Sequence, residues 1–303
     1  MPTAPVELHH VEVGVSDLAR SLEFYVDVLG LRPVHRRAWS PQEAWLAAGP
    51  GFLRLLRVGD GDLGGWSSVN HQAGLRHVGF TVAAVDPWAD RLRRSGVEFA
   101  IAPMDALGGV RIVFFSDPDG ALVELVSGQL RYSDVWDAGL VAARAAHGRA
   151  GAQDGGDLVL DHAATTVGDL REGLATYADG LGMGRLGQVP HPGDERGYVR
   201  SYLAAGPGVL EVFSYAVDPL PAAADVDAHR LGLRVVALTS PDPDAAAHVV
   251  TGRGGRGSAL AGPGRHVVDR DGLTLRFLPA GWSPAPSGAG DGGAHAGHDP
   301  AAG

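Results

Sequence analysis

From Leu8 to Val15 apolar and polar residues alternate, with Val11, Val13 and Val15 on one face and His10, Glu12 and Gly14 on the other. That period predicts a strand. The period then changes. Leu18, Leu22, Tyr25 and Leu29 recur at helical spacing, Ser16 is the expected N-cap and Gly30 the expected stop. The same succession returns at His77–Val82, followed by Asp86 as the expected cap, Pro87 at the first helical position and Gly96 at the end. Three short strands are expected to complete each such unit. Asp117-Pro118-Asp119-Gly120 makes the last turn of one unit and Asp269-Arg270-Asp271-Gly272 that of its counterpart.

The units repeat. Trp45-Leu46-Ala47-Ala48-Gly49-Pro50-Gly51 returns as Tyr202-Leu203-Ala204-Ala205-Gly206-Pro207-Gly208, and Leu8–Leu31 matches Leu160–Met183. Order and spacing are kept, so the two halves are copies of one unit. Within the first half, His77–Val82 echoes His10–Val15. In the second half, Val235–Ser240 takes the corresponding place. The chain therefore reads as four βαβββ modules of an α+β protein. The expected division is a first domain over 1–136, a linker over 137–157 with a short Ala-rich helix, a second domain over 158–282 and a disordered Gly/Ala/Pro tail over 283–303.

Composition narrows the function. A net charge of −10 argues against nucleic-acid and anionic-membrane partners, which need clustered Lys and Arg. Cysteine is absent, which removes disulfides and thiolate chemistry. No apolar run reaches membrane-spanning length, and the first residues lack a basic segment leading into an apolar one, so a cytoplasmic location is expected.

His10 and His77 occupy the same place in modules one and two, opposite the apolar faces of their strands. Glu124 follows the Asp117–Gly120 turn, flanked by Leu122, Val123, Leu125 and Val126, where an unpaired carboxylate is costly to bury. Taken singly, a strand histidine is more often a satisfied core or surface residue, and a buried Glu more often pairs with Arg or Lys. Their matching module positions favour a metal site. Two imidazoles and a carboxylate suit Fe(II) or Mn(II) and leave positions open for substrate and dioxygen.

Leu8-His9-His10-Val11 through Asp17-Leu18, Phe24-Tyr25 and Leu29-Gly30-Leu31 resembles the opening of vicinal-oxygen-chelate proteins. So do Arg76-His77-Val78 and Asp117-Pro118-Asp119-Gly120 through Glu124-Leu125. That superfamily includes glyoxalases, bleomycin-resistance proteins and extradiol dioxygenases. The resemblance implies paired βαβββ modules around a metal cleft, with His10, His77 and Glu124 as ligands.

In the second half His162 matches His10, but Val235 stands in the place of His77 and Arg276 in that of Glu124. This half is expected to be a degenerate domain in which Glu211 and Arg276 pair with each other or with His162. Arg54 occupies the place of Glu211, where glyoxalases carry a further carboxylate. It counts against glyoxalase chemistry and is a candidate for holding the substrate, the alternative being an Arg whose head reaches solvent. Glu12 is a candidate base, and Trp66, in a Gly- and Ser-rich stretch, a candidate lid over the substrate.

The leading functional expectation is an Fe(II)- or Mn(II)-dependent dioxygenase-like enzyme acting on a small aromatic or enolisable substrate with vicinal oxygens, as a monomer or homodimer. A glyoxalase-type lyase or isomerase and a metal-free ligand-sequestering protein are the alternatives.

Overall fold

The alternating run Glu7–Val15 is strand β1 of the computed structural model, which describes residues 5–34, 40–152 and 158–284. Module one continues with helix α1 (Leu18–Leu22) and strands β2 (Arg32–Pro33), β3 (Glu43–Ala48) and β4 (Gly51–Arg57). Module two holds β5 (Gly74–Thr81), α2 (Val85–Arg94), β6 (Phe99–Ala106), β7 (Val110–Ser116) and β8 (Leu122–Ser127). A short strand β9 (Asp134–Val135) and helix α3 (Ala138–Ala152) connect the halves. Module three holds β10 (Val159–Thr166), α4 (Leu170–Leu174), β11 (Gly184–Pro190), β12 (Val199–Ala205) and β13 (Gly208–Ser214). Module four holds β14 (Gly232–Ser240), α5 (Pro243–Thr251), β15 (Arg256–Gly257), β16 (Arg265–Val268) and β17 (Thr274–Pro279).

The helix starts differ from expectation in detail. Asp17, not Ser16, caps α1 by accepting from the N–H groups of Ala19 and Arg20. The Ser16 hydroxyl instead donates to Asp119, 2.6 Å away. The residue flanking α2 is Ala84, so Asp86 falls in the first turn, where its carboxylate takes two bonds from Arg111. Both α1 and α4 widen into a π-helical turn, over Glu23–Val28 and Ala175–Gly180.

Two mixed sheets form, and each takes one module from each half of the chain. One runs β15-β16-β17-β14-β1-β4-β3-β2, the other β6-β7-β8-β5-β10-β13-β12-β11-β9. Within a module the first and last strands lie parallel, as β1 with β4 and β5 with β8. The free edge of the first strand then meets a first strand from the other half: β1 is antiparallel to β14, and β5 to β10.

This corrects the expectation that residues 1–136 enclose one cleft and 158–282 another. Modules one and two of the same half meet on the helix side instead. Tyr25 donates to Asp117 over 2.9 Å, Arg20 pairs with Asp119 at 2.6 Å, and Arg91 donates to the Asp27 carbonyl over 2.8 Å. Modules three and four repeat the arrangement with Tyr177 and Asp269.

The convex faces share one apolar core that runs through both sheets. Val11, Val13, Val78, Phe80, Ala163, Val236 and Leu238 contribute from the central strands, and Tyr25, Leu29, Leu92, Tyr177 and Val250 from the helices. Burial of this kind is worth about 1.5–3 kcal/mol per large apolar side chain, so the core fixes how the modules stack. The opposite face of each first strand lines a cleft, with His10 and Glu12 on β1, His77 on β5 and His162 on β10, but the apolar Val235 and Ala237 on β14.

The Ala-rich helix of the linker extends through Gly148 to Ala152. Residues 153–157 and the expected disordered tail beyond Pro284, with His295 and His298, lie outside the described residues. No helix among the described residues is long and apolar enough to cross a membrane.

Candidate metal centre

The β5–β10 pairing places His77 opposite Ala164 and His162 opposite Gly79. On either flank, β8 sets Glu124 beside Gly79 and β13 sets Glu211 beside Ala164. Modules two and three thus each deliver a His from their first strand and a Glu from their last to the floor of one cleft. All four side chains are buried.

His77 Nε2 and His162 Nε2 are 2.9 Å apart, and Glu124 Oε2 lies 3.1 Å from the first and 2.9 Å from the second. Glu211 Oε2 is 3.5 Å from both imidazoles. One donor atom from each of the four residues lies within 4.8 Å of the others. Ligands about 2.0–2.2 Å from a common ion at right or tetrahedral angles stand about 3–3.5 Å apart, so this spacing fits a divalent transition metal.

The surroundings fit it too. Asp161 Oδ2 lies 2.8 Å from Nδ1 of His162 and fixes which nitrogen faces the cluster. Arg144 pairs with Asp161 at 2.6 Å. On the opposite side Arg200 approaches Glu211 Oε1 at 3.6 Å and donates to the Leu107 carbonyl over 2.8 Å, reaching from module three to module two. His77 Nδ1 is buried without a hydrogen bond among the described residues.

Burial alone would lower the pKa of His162, but Asp161, Glu124 and Glu211 reverse this and raise it well above the ordinary value. Burial opposes the charged form of Glu124, and His162 and His77 more than offset it, holding the carboxyl below its usual range. Both shifts reflect two buried carboxylates facing two imidazoles, a donor set that could hold a cation. Phe114 and Phe213 wall the His77 ring at centroid distances of 5.0 and 5.8 Å, so one side of the cluster is apolar.

Gly79 makes the arrangement possible. A Cβ there would overlap the ring atoms of His162.

Of the residues expected to form the site, the structure brings His77 and Glu124 together and places His10 elsewhere. His10 stands on β1 in the other sheet, with Nε2 3.4 Å from Glu12. Its expected place is taken by His162. Arg54 follows His10 into that second cleft, where it pairs with Glu12 at 3.1 Å and with Glu43. Glu12, a candidate base, is buried there between Arg54 and Arg276.

Trp66 is an anchored side chain rather than a free lid. Its indole N–H donates to the Leu75 carbonyl over 2.8 Å, the Arg76 guanidinium packs over its ring, and it lies against Phe114, Ile112 and Leu122. Glu211 lies near His162, but in the cluster with His77 and Glu124 and not in a metal-free cleft shared with Arg276. Arg276 instead meets Glu12 and His266. The cluster residues not assigned from sequence, His162 and Glu211, were visible as the matches of His10 and Arg54. What sequence lacked was the pairing of module two with module three.

A family model described as Glyoxalase/Bleomycin resistance protein/Dioxygenase superfamily matches residues 7–125 and 159–274. Among curated proteins, Uncharacterized protein YwkD of Bacillus subtilis is 31% identical over 121 residues, covering 39% of this chain and 94% of that protein. Lactoylglutathione lyase GLX1 of Arabidopsis thaliana is 30% identical over 125 residues, covering 39% of this chain and 42% of that protein. Among solved structures, glyoxalase I from Zea mays aligns over 90% of this chain and 92% of its own, with a TM-score of 0.63 and 20% identity. A putative dioxygenase from Bacillus subtilis aligns over 92% of this chain and 87% of its own, with a TM-score of 0.56 and 15% identity. These two structural likenesses concern the fold.

Proposed function

We propose that this chain, which belongs to the Glyoxalase/Bleomycin resistance protein/Dioxygenase superfamily, is a metal-dependent lyase or isomerase of glyoxalase type. It would move a proton between neighbouring carbons of a small substrate that presents two adjacent oxygens. The observation that carries this reading is the second carboxylate. Glu211 turns Oε2 toward the imidazoles while Oε1 faces Arg200. A carboxylate so placed is both a ligand and a base within reach of a bound substrate.

A divalent ion held by His77, Glu124, His162 and Glu211 would act as a Lewis acid, polarising a substrate carbonyl. The chain's own residues supply the rest. Glu211 accepts a proton from one carbon and returns it to the next, Arg200 orients its carboxylate, and Phe114 and Phe213 exclude water. Arg54, whose position in sequence argues against this chemistry, belongs to the other cleft. The resemblance to lactoylglutathione lyase GLX1 makes formation of lactoylglutathione the first reaction to assay.

The Fe(II) or Mn(II) oxygenase expected from sequence is the second reading, since His77, His162 and Glu124 by themselves make two histidines and one carboxylate. Metal analysis coupled to two assays separates the readings. Exchange of a substrate C–H for solvent deuterium without oxygen uptake supports proton transfer. Stoichiometric oxygen consumption without exchange overturns it in favour of the oxygenase.

A further inference from the structure

The cleft between modules one and four is built on the same positions as the metal centre, and three of its charged positions are reversed in sign. Arg54 stands where Glu211 stands, Arg276 where Glu124 stands, and Glu43 where Arg200 stands. Glu43 pairs with Arg54 as Arg200 pairs with Glu211. Val235 replaces His77, and Ala237 replaces Gly79, so a Cβ now faces His10 across the strand pair.

The centre of the cleft is filled. Glu12 occupies the position of Ala164, whose methyl group leaves the metal centre open. Glu12 Oε1 lies 2.6 Å from Arg276 Nη1, 3.1 Å from Arg54 Nη1 and 3.4 Å from His10 Nε2. These three are the counterparts of Glu124, Glu211 and His162. An oxygen anion thus sits among donors where the other cleft gathers acceptors.

We infer that the second cleft is an oxyanion site, the charge inverse of the metal centre, whose resident ligand is the carboxylate of Glu12 held by His10, Arg54 and Arg276. The site excludes metal, so the chain binds one ion and not two. It also fastens β1, β4 and β17 to one another through a single buried oxygen. This inference does not depend on the reaction run in the other cleft.

The supporting groups agree. Burial lowers the pKa of His10 to about 4, so the ring is neutral and donates from Nε2. Its Nδ1 is then an acceptor, and His9 Nδ1 lies 2.7 Å from it. His9 replaces Asp161, which in the metal cleft meets the same ring nitrogen of His162. Burial works against a charged Glu12, but His10, Arg276 and Arg54 bring its carboxyl down to about 2.

The test is chemical rescue with formate, the smallest carboxylate, in the full chain. Glu12→Ala should lower the Tm by on the order of 10 °C, because two buried guanidinium groups lose their anion. Formate at tens of millimolar should restore about half of that loss, while chloride at equal ionic strength should not. Wild type, with its own carboxylate in place, and the double variant Glu12→Ala/Arg276→Met should show no formate effect. Equal stabilisation of all three proteins, or no stabilisation of a folded Glu12→Ala, would overturn the inference.

If Glu12→Ala does not fold in either salt, the isosteric Glu12→Gln decides. A Tm close to that of wild type would sink the proposal. A lowered Tm that Arg276→Met partly restores would support it. Metal content of wild type provides an independent readout: one ion per chain is expected, and two would overturn the exclusion of metal from this cleft.

Discussion

Gly79 and His162 face each other across the antiparallel β5–β10 pair, and the imidazole occupies the space that any side chain at position 79 would need. The backbone at Gly79 is not in the left-handed region, so alanine is tolerated there conformationally and acts only through its methyl group. Gly79→Ala should therefore leave the fold intact and displace the His162 ring. Metal affinity is expected to fall by about 100-fold, at the upper end of what misorienting a ligand does. Competition with a chelator on the purified variant measures this, and unchanged affinity would show that the His162 ring tolerates displacement.

The module pairing makes opposite predictions for two histidines at equivalent positions. His162→Ala should lose the metal, and His10→Ala should keep it, because His10 faces Glu12 in the other sheet. Metal content per chain of the two variants, side by side, is sufficient. Loss of metal from His10→Ala with retention in His162→Ala would restore the ligand set expected from sequence.

Glu211→Gln separates binding from chemistry. The amide keeps an oxygen to face the imidazoles and loses the basicity, so metal should still bind, although less tightly. Turnover should drop by about 10²–10⁴-fold, the usual contribution of a positioned acid–base group. Steady-state rates on metal-saturated protein check it, and a retained kcat would remove Glu211 as the base.

Asp117 and Asp269 are equivalent turn carboxyls, each bonded to a tyrosine that ties the two modules of one half together. Burial pushes both up to about 6 from an ordinary 3.8, against the hydrogen bonds that favour the anion. An acid whose pKa is higher folded than unfolded holds its proton more tightly in the folded state. Its contribution to stability is full below about pH 4 and is lost as pH rises through about 6. Two pKa units correspond to about 3 kcal/mol. At pH 4.5 the unfolded carboxyl has already lost most of its proton, so Asp117→Asn should shrink the difference in unfolding free energy between pH 4.5 and pH 7.5 by up to about 2 kcal/mol relative to wild type. Denaturant titrations at the two pH values provide the comparison. An identical difference in both proteins would mean that the carboxyl titrates normally.

Sequence by itself determined the βαβββ modules, because each rests on local periods and turns: Val11, Val13 and Val15 on one strand face, Leu22, Tyr25 and Leu29 on one helix face, and Asp117–Gly120 at a tight turn. The repeats fixed the count of four, and the family match agrees with the two halves. Two of the four clustered residues, His77 and Glu124, were legible because both lie in module two, where spacing along the chain is enough to relate them.

Only the tertiary structure decided which modules share a cleft. The open edge of β1 can be met by β5 or by β14, and both begin with Gly-Leu-Arg, as Gly74-Leu75-Arg76 and Gly232-Leu233-Arg234. Nothing local distinguishes the two partners. The choice follows from the convex faces, where Tyr25 meets Asp117 and Tyr177 meets Asp269, packing the modules of one half helix side to helix side. Each first strand then pairs with one from the other half. That non-local choice moved His10 and Arg54 out of the metal centre and brought His162 and Glu211 into it.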